Sequence, residues 1–514
     1  MSRSYMFDDR TQENRRKQRE EAQVEIRQLK KEELLNKKRN LSLAVSQIAN
    51  FPEMRDRLYS NDLVTLHQGT YEFRSLLSVE GSPPVQAVID SGCLPRFVQI
   101  LDKNFLKSLP NQNINEELIE KIRIESAWVL TNIAAGTSEQ TSAVLKAGAL
   151  VHLVKMLYES NELIIDQSVW ALGNIAGDSE NARDCILNTG ALDIIVSLLD
   201  QYSSKDTQVK LVRNMTWLLS NLNRGRNPPP KKVDMEKSLY ILFKLVNVRD
   251  PETVCDAFWA LSYIVDADNG CTDVVLGSSV MGRTYNCLDA YTHKLRNLNH
   301  DPENAKIGSM SISPIVRMLG NIATGNDNQT NTIIRMGFLD FFGVLFYRIE
   351  NKKSQRLRKE LCWTLSNITA GPIEQVQAVI DIGLIPMLVD AMNTYEPYIR
   401  KEACWALSNA LFHCVNKYEW VKIFIDNGLI EGLVSYLEVA SNLVDMQAHI
   451  LDCFLYVLEG GRKYEKKFGK NITIEKMVET EAVGYIEQLQ DVDAIEVSDK
   501  AYKIIVEYFE GIDS

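Results

Sequence analysis

The chain has 514 residues, of which 45% are hydrophobic and 24% are charged, and its formal net charge is −11. The chain is about three times as long as a typical single domain of roughly 150 residues, which indicates several domains or a repeat array. The sequence has no apolar run of ~18 residues, no apolar signal core at its N-terminus and no Cys-x-x-Cys pair. We therefore expect a soluble protein of a reducing compartment, with its cysteines serving as small buried hydrophobes.

Residues 1–40 form a basic leader. They contain 12 Lys and Arg residues against 8 Asp and Glu residues, which leaves 45 basic and 60 acidic residues for the rest of the chain. An acidic body favours basic peptides over nucleic acid as partners, and it attracts the leader of its own chain. Good helix formers with few apolar residues predict a leader that folds only on a partner, although an ordinary solvated tail explains the same composition equally well.

A Trp-x-x-x-Asn motif recurs through the body of the chain. Its seven anchor positions are separated by 42, 47, 42, 58, 46 and 42 residues, close to the ~40–47-residue period of armadillo and HEAT repeats. Two copies are variants, because Tyr263 replaces the Asn of one and Arg317 replaces the Trp of the next. The anchors are Trp128, Trp170, Trp217, Trp259, Arg317, Trp363 and Trp405.

Two sets of glycines punctuate the repeats. The first set opens an apolar helical stretch between anchors, so each repeat is predicted to consist of a helix, a Gly turn and a second helix. The second set follows most of the Asn residues by three or four positions, where we expect a left-handed residue that ends the helix. The first set is Gly92, Gly148, Gly190, Gly337, Gly383 and Gly428, and the second is Gly136, Gly177, Gly225, Gly325 and Gly371.

These patterns predict an all-α fold, a right-handed superhelical solenoid of armadillo repeats with an extended concave face. We expect a connector at residues 41–62 and about ten repeats over residues 63–512. The long interval near residues 267–312 is rich in Asn, Ser, Gly and Asp, which predicts an enlarged loop or a distorted repeat.

The Trp and Asn of each motif lie four residues apart and so share one face of a helix. An Asn amide can hold the N–H and C=O of an extended peptide, while Trp faces attract Lys and Arg, worth roughly 0.5–2 kcal/mol per contact. We therefore predict a ladder that binds lysine-rich peptides. Acidic side chains that attract the basic peptide are expected near the rim of this ladder, at Asp166, Asp178, Glu360 and Glu402.

Other interpretations are weaker. A single Trp at helical spacing usually belongs to the core, and a single Asn near a helix end usually caps it, but six of the seven Trp residues recur in register. Zinc at Cys271, Cys287, His293 and His300 lacks a standard ligand spacing, so we expect no metal and no cofactor. The main catalytic motifs are missing, which argues against an enzyme. An armadillo scaffold for extended peptide partners in adhesion or signalling is the alternative function.

The ladder and its surroundings resemble the importin-alpha family over nearly the whole chain. Residues 125–141, 171–178 and 366–371 are similar to that family's repeats almost letter for letter. The resemblance implies a nuclear import adaptor that binds lysine- and arginine-rich nuclear localisation signals, links cargo to importin-beta, and shuttles between cytoplasm and nucleus. It also implies the recycling exportin with Ran-GTP as a partner, leaves nucleoporins as further candidates, and implies neither nucleic-acid binding nor membrane insertion.

The resemblance assigns the peptide-binding residues to two grooves, separated by the variants Tyr263 and Arg317. In the major groove, Asp178 and Thr141 would receive the principal lysine. The major-groove residues are Trp128, Asn132, Gly136, Thr141, Asp166, Gln167, Trp170, Asn174, Asp178, Trp217 and Asn221. The minor-groove residues are Arg317, Asn321, Glu360, Trp363, Asn367, Glu402, Trp405 and Asn409.

The leader resembles the family's importin-beta-binding domain, although it lacks an early basic stretch. Its last basic cluster is similar to a cargo signal, which implies that it occupies the groove until importin-beta binds, at a tethered concentration in about the millimolar range. Near the C-terminus, Tyr456 stands where a further ladder Asn is expected. The implied leader residues are Arg15, Arg16, Lys17, Arg27, Lys30, Lys31, Lys37, Lys38 and Arg39.

Overall fold

The computed structural model describes residues 51–79, 83–110, 115–267, 270–349, 354–440 and 443–509. The leader at 1–40, with all of its predicted binding residues, lies outside these ranges. The chain divides into two compact units, residues 1–248 (unit 1) and residues 249–514 (unit 2). Every regular element within the described ranges is helical, which confirms the all-α prediction.

Unit 1 is built from short and medium helices joined by tight turns. Its described helices are α1 (Phe51–Leu58), α2 (Leu63–Leu77), α3 (Val85–Asp90), α4 (Leu94–Gln99), α5 (Lys103–Ser108), α6 (Glu116–Ala134), α7 (Ser138–Lys146), α8 (Ala149–Met156), α9 (Glu162–Asp178), α10 (Glu180–Leu187), α11 (Ala191–Tyr202), α12 (Val209–Leu222) and α13 (Lys232–Leu245), with a 3-10 turn at Asp206–Gln208.

Unit 2 is also built from helices joined by turns, and several of its helices are longer. Its described helices are α14 (Pro251–Asp266), α15 (Thr272–Leu276), α16 (Ser279–Leu295), α17 (Pro302–Ala323), α18 (Asp327–Arg335), α19 (Phe342–Arg348), α20 (Ser354–Thr369), α21 (Ile373–Asp381), α22 (Ile385–Thr394), α23 (Pro397–Phe412), α24 (Trp420–Asp426), α25 (Leu429–Val439), α26 (Val444–Phe468), α27 (Ile472–Glu479), α28 (Ala482–Gln488) and α29 (Ile495–Ile504). Short 3-10 segments lie at Phe338–Phe341, His413–Val415 and Leu489–Asp491, and a π-helical turn at Ile505–Phe509.

Four of the helices that carry a copy of the motif begin at polar caps. The side chains of Asn115 and Asn161 accept hydrogen bonds from backbone N–H groups in the first turns of α6 and α9. Asp250 and Asp301 do the same for α14 and α17, and each is followed by a proline at the first helical position. Because these caps satisfy N–H groups that a helix start leaves without partners, local sequence determines where these four helices begin.

The first glycine set has the predicted turn conformation. All six residues have φ between 72° and 84°, in the left-handed region that an L-residue avoids. Glycine therefore sets the sharp turn between the two helices of a repeat. The predicted order of helix, Gly turn and helix is confirmed at these positions.

The predicted left-handed conformation of the second glycine set is wrong for four of its five members. Gly225 alone has a positive φ, at 107°, while Gly177 lies inside α9, where an added Cβ would be 3.2 Å from the Asn221 amide nitrogen. At the other three glycines a Cβ would collide with the side-chain oxygen of a downstream Gln. The pairs are Gly136–Gln140 at 1.9 Å, Gly325–Gln329 at 2.0 Å and Gly371–Gln375 at 2.0 Å.

The reason for these glycines is the cap of the next helix. Gln140 and Gln329 close capping boxes with Thr137 and Asn326, in which the Gln side chain folds back over the preceding backbone. Glycine is required there because of this close approach and not because of its φ angle.

The helices that carry the motif pack on one another in succession. In unit 1 α2 packs on α6, α6 on α9 and α9 on α12. In unit 2 the same order runs through α14, α17, α20, α23 and α26. Each contact is filled by fully buried aliphatic side chains such as Leu130, Leu172, Leu319 and Leu365. The packed core therefore aligns the motif residues of neighbouring repeats.

Two segments differ from the simplest expectation. Residues 51–58 of the expected connector are helix α1, which packs on α2 and buries Met54 and Leu58. The interval near residues 267–312 is largely helical in its described part, so it is a repeat with long helices and not an enlarged loop. The 17-residue α16 and the 22-residue α17 absorb the extra length.

None of the described helices has by itself the length and apolar composition of a membrane span. One pair, Ile373–Asp381 with Ile385–Thr394, meets that criterion only jointly, and the two helices are bent by 83° relative to each other.

Candidate peptide-binding ladders

The structure separates the predicted motif into two ladders, one in each unit. The helices α6, α9 and α12 carry the first ladder, and α17, α20 and α23 carry the second. The first ladder consists of Trp128, Asn132, Trp170, Asn174, Trp217 and Asn221. The second ladder consists of Arg317, Asn321, Trp363, Asn367, Trp405 and Asn409.

Each ladder Asn is held by an earlier part of the chain. Asn132 donates its side-chain N–H to the Ser78 hydroxyl at 3.1 Å. The other five donate to a backbone carbonyl of the preceding motif-bearing helix, at 2.8–3.3 Å, so one N–H of each amide is already used within the protein. The pairs are Asn174 to Thr131, Asn221 to Gly173, Asn321 to Ser262, Asn367 to Gly320 and Asn409 to Ser366.

The other edge of these amides offers an acceptor. The Oδ1 atoms of Asn221, Asn367 and Asn409 are buried and have no hydrogen-bond partner among the described residues. A buried acceptor left without a partner costs about 1–3 kcal/mol. Since the carbonyl contact fixes the orientation of the amide, Oδ1 points in a set direction that suits the N–H of an extended backbone.

Two of the ladder tryptophans are more buried than a binding slot requires. Trp217 is 3% exposed and Trp363 is 2% exposed. Each ring rests on a glycine of the preceding helix, because a Cβ at Gly173 would lie 1.9 Å from Trp217 and one at Gly320 would lie 2.2 Å from Trp363. The core interpretation of a helical Trp is thus correct for much of these two side chains.

The remaining ladder tryptophans are half-buried and present part of a ring to the surface. The indole nitrogens of Trp170 and Trp405 are buried and find no acceptor in the described part of the chain. The Arg74 guanidinium lies 4.6 Å from the centroid of Trp128, and its Nε also donates to Glu125 at 2.7 Å. A cation of the protein itself therefore already makes the cation–ring contact predicted for the ligand.

Asp178 and Thr141 lie close to one another along the first ladder. Asp178 ends α9, and its Oδ1 accepts a hydrogen bond of 2.8 Å from the Ser138 hydroxyl at the start of α7. Thr141 is one turn further along α7, is 1% exposed, and donates to the carbonyls of Ala134 and Thr137 at 3.1 and 3.2 Å. A carboxylate at a helix C-terminus, where backbone carbonyls also favour cations, suits a lysine ammonium.

Asp166 and Gln167 both face neighbouring repeats. Asp166 accepts a hydrogen bond of 2.7 Å from the Asn214 side chain and lies 4.0 Å from the Lys210 ammonium. Gln167 is 6% exposed and donates to the Thr131 hydroxyl at 2.9 Å. These contacts orient both side chains beside Trp170.

The second ladder opens with a buried ion pair. Arg317 Nη2 donates to Glu360 Oε1 at 2.6 Å, and the two side chains are 7% and 0% exposed. The guanidinium also lies 5.7 Å from the centroid of Trp363. Glu360 Oε2 has no hydrogen-bond partner within the described ranges. The charges of these two predicted minor-groove residues are therefore largely neutralised by each other. Arg317 also occupies the face of the Trp363 ring that a ligand cation would need.

The second ladder also ends differently from the prediction. The His449 ring stacks on Trp405 with centroids 3.6 Å apart and an angle of 29° between the planes. Tyr456, at the place predicted for a further ladder Asn, instead contacts Phe412 edge to face at 5.6 Å. Glu402 is 6% exposed, three residues before Trp405.

Between the two ladders in sequence, Tyr263 replaces the Asn as predicted. Its ring stacks on Trp259 of the same helix, with centroids 6.1 Å apart and an angle of 27°. The aromatic pair thus replaces a Trp–Asn pair with two packed rings.

The cysteine prediction is correct for most positions. Seven cysteines are buried, whereas Cys255 is half-buried and Cys185 is exposed, so the prediction is wrong for Cys185. Burial raises the pKa of the Cys287 thiol to about 11 and that of Cys362 further, which keeps both neutral at physiological pH. The structure does not group Cys271, Cys287, His293 and His300 as ligands of one ion.

Sequence reasoning missed the glycines beneath the tryptophans and the stack that ends the second ladder. The glycines have a signal in the sequence, whereas the stack has none. Gly173 and Gly320 each stand three residues after an anchor, and Asp178 stands eight residues after Trp170. The corresponding positions after four of the other anchors are glycines, namely Gly136, Gly225, Gly325 and Gly371.

Known families match these features. The sequence matches the importin beta binding domain over residues 3–71 and the armadillo/beta-catenin-like repeat over residues 137–177 and 372–412. Importin subunit alpha-1a of Oryza sativa subsp. japonica is 35% identical over 394 residues, which are 74% of this chain and 68% of that relative. Importin subunit alpha-4 of Arabidopsis thaliana is 34% identical over 515 residues, covering 96% of this chain and 88% of that relative.

A solved structure supports the fold. The crystal structure of an engineered protein covers 88% of this chain and 97% of its own, with a TM-score of 0.68 and 22% identity. Together with the matched repeats it confirms an all-α armadillo-repeat fold. With an importin beta binding domain and long importin-alpha relatives, the chain belongs to the importin-alpha family, the nuclear import adaptors that link cargo to importin-beta.

Proposed function

We propose that the first ladder is the principal binding site for lysine- and arginine-rich nuclear localisation signals, and that the second ladder is a subsidiary site. The observation that carries this proposal is the fixed orientation of the first-ladder amides, because Asn132 is held by the Ser78 hydroxyl, and Asn174 and Asn221 are held by a carbonyl of the preceding motif-bearing helix. A row of such amides grips a backbone whatever its side chains, and the half-buried Trp rings select basic residues.

Asp178 is the proposed partner of the most important lysine. Its carboxylate lies at the end of α9 and is oriented by Ser138, beside the buried hydroxyl of Thr141. In the second ladder the corresponding electrostatic role falls to Glu360 and Glu402, but Glu360 is already paired with Arg317. This difference supports unequal affinities of the two ladders.

We further propose that residues 1–40 bind importin-beta and, in its absence, compete with cargo. The basic clusters at 15–17, 27–31 and 37–39 and the acidic body support this assignment, as does the match to the importin beta binding domain over residues 3–71. Recycling by an exportin with Ran-GTP, contacts with nucleoporins and shuttling between cytoplasm and nucleus complete the proposed cycle.

The ladder assignment is tested by fluorescence anisotropy with a labelled lysine-rich signal peptide. The full-length chain carries Lys37→Ala, Lys38→Ala and Arg39→Ala as a background that removes the proposed competitor. Trp170→Ala with Asn174→Ala is expected to weaken binding about 10–100-fold, from one lost cation–ring contact and one lost hydrogen bond. Trp405→Ala with Asn409→Ala in the second ladder is the matched pair and is expected to weaken binding less.

Thermal unfolding of both double variants separates lost binding from lost folding. Equal affinity of the Trp170/Asn174 variant and its parent would refute the proposal.

The leader is tested separately, because restoring Lys37, Lys38 and Arg39 is expected to lower peptide affinity until importin-beta is added. If affinity does not change on restoring them, the leader is not a competitor.

A further inference from the structure

Three side chains with soft or borderline metal ligands converge in unit 2, outside both ladders. Cys404 lies on α23, and His449 and Cys453 lie on α26. Their ligand atoms all lie within 4.8 Å of one another, and within the described ranges they are the one group of three or more His, Cys, Asp or Glu residues with such geometry. The two cysteines are 0% exposed.

The sequence places these ligands by simple helical geometry. His449 and Cys453 are four residues apart and therefore share one face of α26. That helix packs on α23, where Cys404 directly precedes Trp405. The thiols of Cys404 and Cys453 are close enough to hydrogen-bond to each other. Two buried sulfurs from different helices thus lie close to one half-buried imidazole.

We propose that Cys404, His449 and Cys453 bind one thiophilic d10 ion, Zn²⁺ or Cu⁺, that clamps α23 to α26. Tetrahedral zinc with bonds of about 2.3 Å to sulfur and 2.0–2.1 Å to nitrogen places its ligands about 3.5–3.8 Å apart. The three ligand atoms need to close by about 1.3 Å at most to reach this spacing. Two thiolates and an imidazole favour Zn²⁺ or Cu⁺, whereas Ca²⁺ and Mg²⁺ require oxygen ligands.

The site has a consequence for the second ladder, and this consequence rests on the proposed function of that ladder. The His449 ring that would bind the ion also stacks on Trp405 at 3.6 Å. Coordination through one ring nitrogen fixes the orientation of an imidazole. A bound ion therefore holds Trp405 in one orientation and couples metal occupancy to peptide binding at the end of the ladder.

The site itself is tested without any peptide. Full-length protein is purified with a reductant, freed of metal by a chelator, and titrated with Co²⁺ while its sulfur-to-metal charge-transfer absorption is recorded. Zn²⁺ affinity is then measured against a chromophoric chelator, and Cu⁺ affinity against a Cu⁺-specific chelator without oxygen. We expect one ion per chain.

Single substitutions make the test specific. Cys453→Ser and His449→Gln are each expected to weaken binding more than about 100-fold, because even outer-shell partners are worth 10–100-fold. Cys362→Ser is the matched control, since Cys362 is equally buried and directly precedes Trp363 one repeat earlier. It is expected to keep full metal affinity. The metal should also raise the melting temperature of the native chain and of Cys362→Ser, but not of Cys453→Ser.

Three results would overturn the proposal. They are the absence of both a Co²⁺ charge-transfer band and stoichiometric Cu⁺ binding in the native chain, equal metal affinity of the native chain and Cys453→Ser, and isolation of a Cys404–Cys453 disulfide without metal. None of them depends on peptide binding, so failure here is distinguishable from failure of the ladder assignment.

Discussion

The two ladders share one construction and differ in their charges. In both, the Asn amide donates to the preceding helix and a deeply buried Trp rests on a glycine of that helix. The first ladder leaves its carboxylates near the surface, at Asp166 and Asp178, whereas the second buries Glu360 against Arg317. The comparison teaches that the frame of the site comes from packing, while its ability to bind a cation is decided by a few charged side chains.

The buried ion pair gives the largest expected difference between the ladders. Glu360→Ala leaves the Arg317 guanidinium buried without its partner, which should cost about 3–5 kcal/mol of unfolding free energy. The matched change in the first ladder, Asp166→Ala, removes a carboxylate that is 16% exposed and should cost less. Urea denaturation followed by Trp fluorescence measures both.

A double change shows whether the loss comes from the orphaned charge. Replacing both Arg317 and Glu360 by Met is expected to recover most of the stability, because well-packed apolar side chains often replace a buried pair without cost. Equal losses for Glu360→Ala and Asp166→Ala would mean that the two ladders do not differ in this way.

The shared frame is tested at the glycines beneath the tryptophans. Gly173→Ala places a methyl group 1.9 Å from Trp217, and Gly320→Ala places one 2.2 Å from Trp363. Each is expected to cost about 1–3 kcal/mol, as overpacking of a filled core does. Both losses should be similar, since the construction is the same in the two units.

The control for this prediction is Gly484→Ala in α28. A Cβ there meets no atom within 4 Å, so the change should stabilise the helix by about 0.5–1 kcal/mol through the intrinsic preference for Ala. Destabilisation of all three variants by the same amount would show that the Trp contact is not the cause.

Periodicity predicted the fold and the placement of each Trp–Asn pair on one helix correctly because both depend on local spacing. A Trp four residues before an Asn, repeated every ~40–47 residues, specifies which face of each helix is shared and which helices are neighbours. The turns at Gly148 and Gly190 follow from backbone sterics that any sequence must obey. These features need no knowledge of contacts between distant residues.

The features that could not be predicted all depend on side chains that meet across repeats. Spacing does not reveal that Glu360 neutralises Arg317, that His449 stacks on Trp405, or that Arg74 lies over Trp128. The roles of Gly136 and Gly325 were misassigned for a different, local reason. Their Cβ positions are blocked by a glutamine four residues later, an interaction set by the geometry of the cap and not by φ.

The smallest expected effect concerns a threonine that occurs in both units with the same local structure. Thr141 and Thr330 each stand thirteen residues after an anchor, directly after the glutamine of a capping box, and are 1% and 3% exposed. Thr141 belongs to the repeat of Trp128 and lies near Asp178, whereas Thr330 belongs to the repeat of Arg317.

Thr141→Val removes an acceptor for the ligand lysine and should weaken peptide binding about 2–10-fold, the worth of one hydrogen bond. Thr330→Val should leave peptide affinity unchanged, although both variants lose a hydroxyl that donates to a backbone carbonyl and should lose similar stability. Anisotropy titrations and melting curves on the two variants separate these effects, and an equal loss of affinity in both would assign Thr141 a purely structural role.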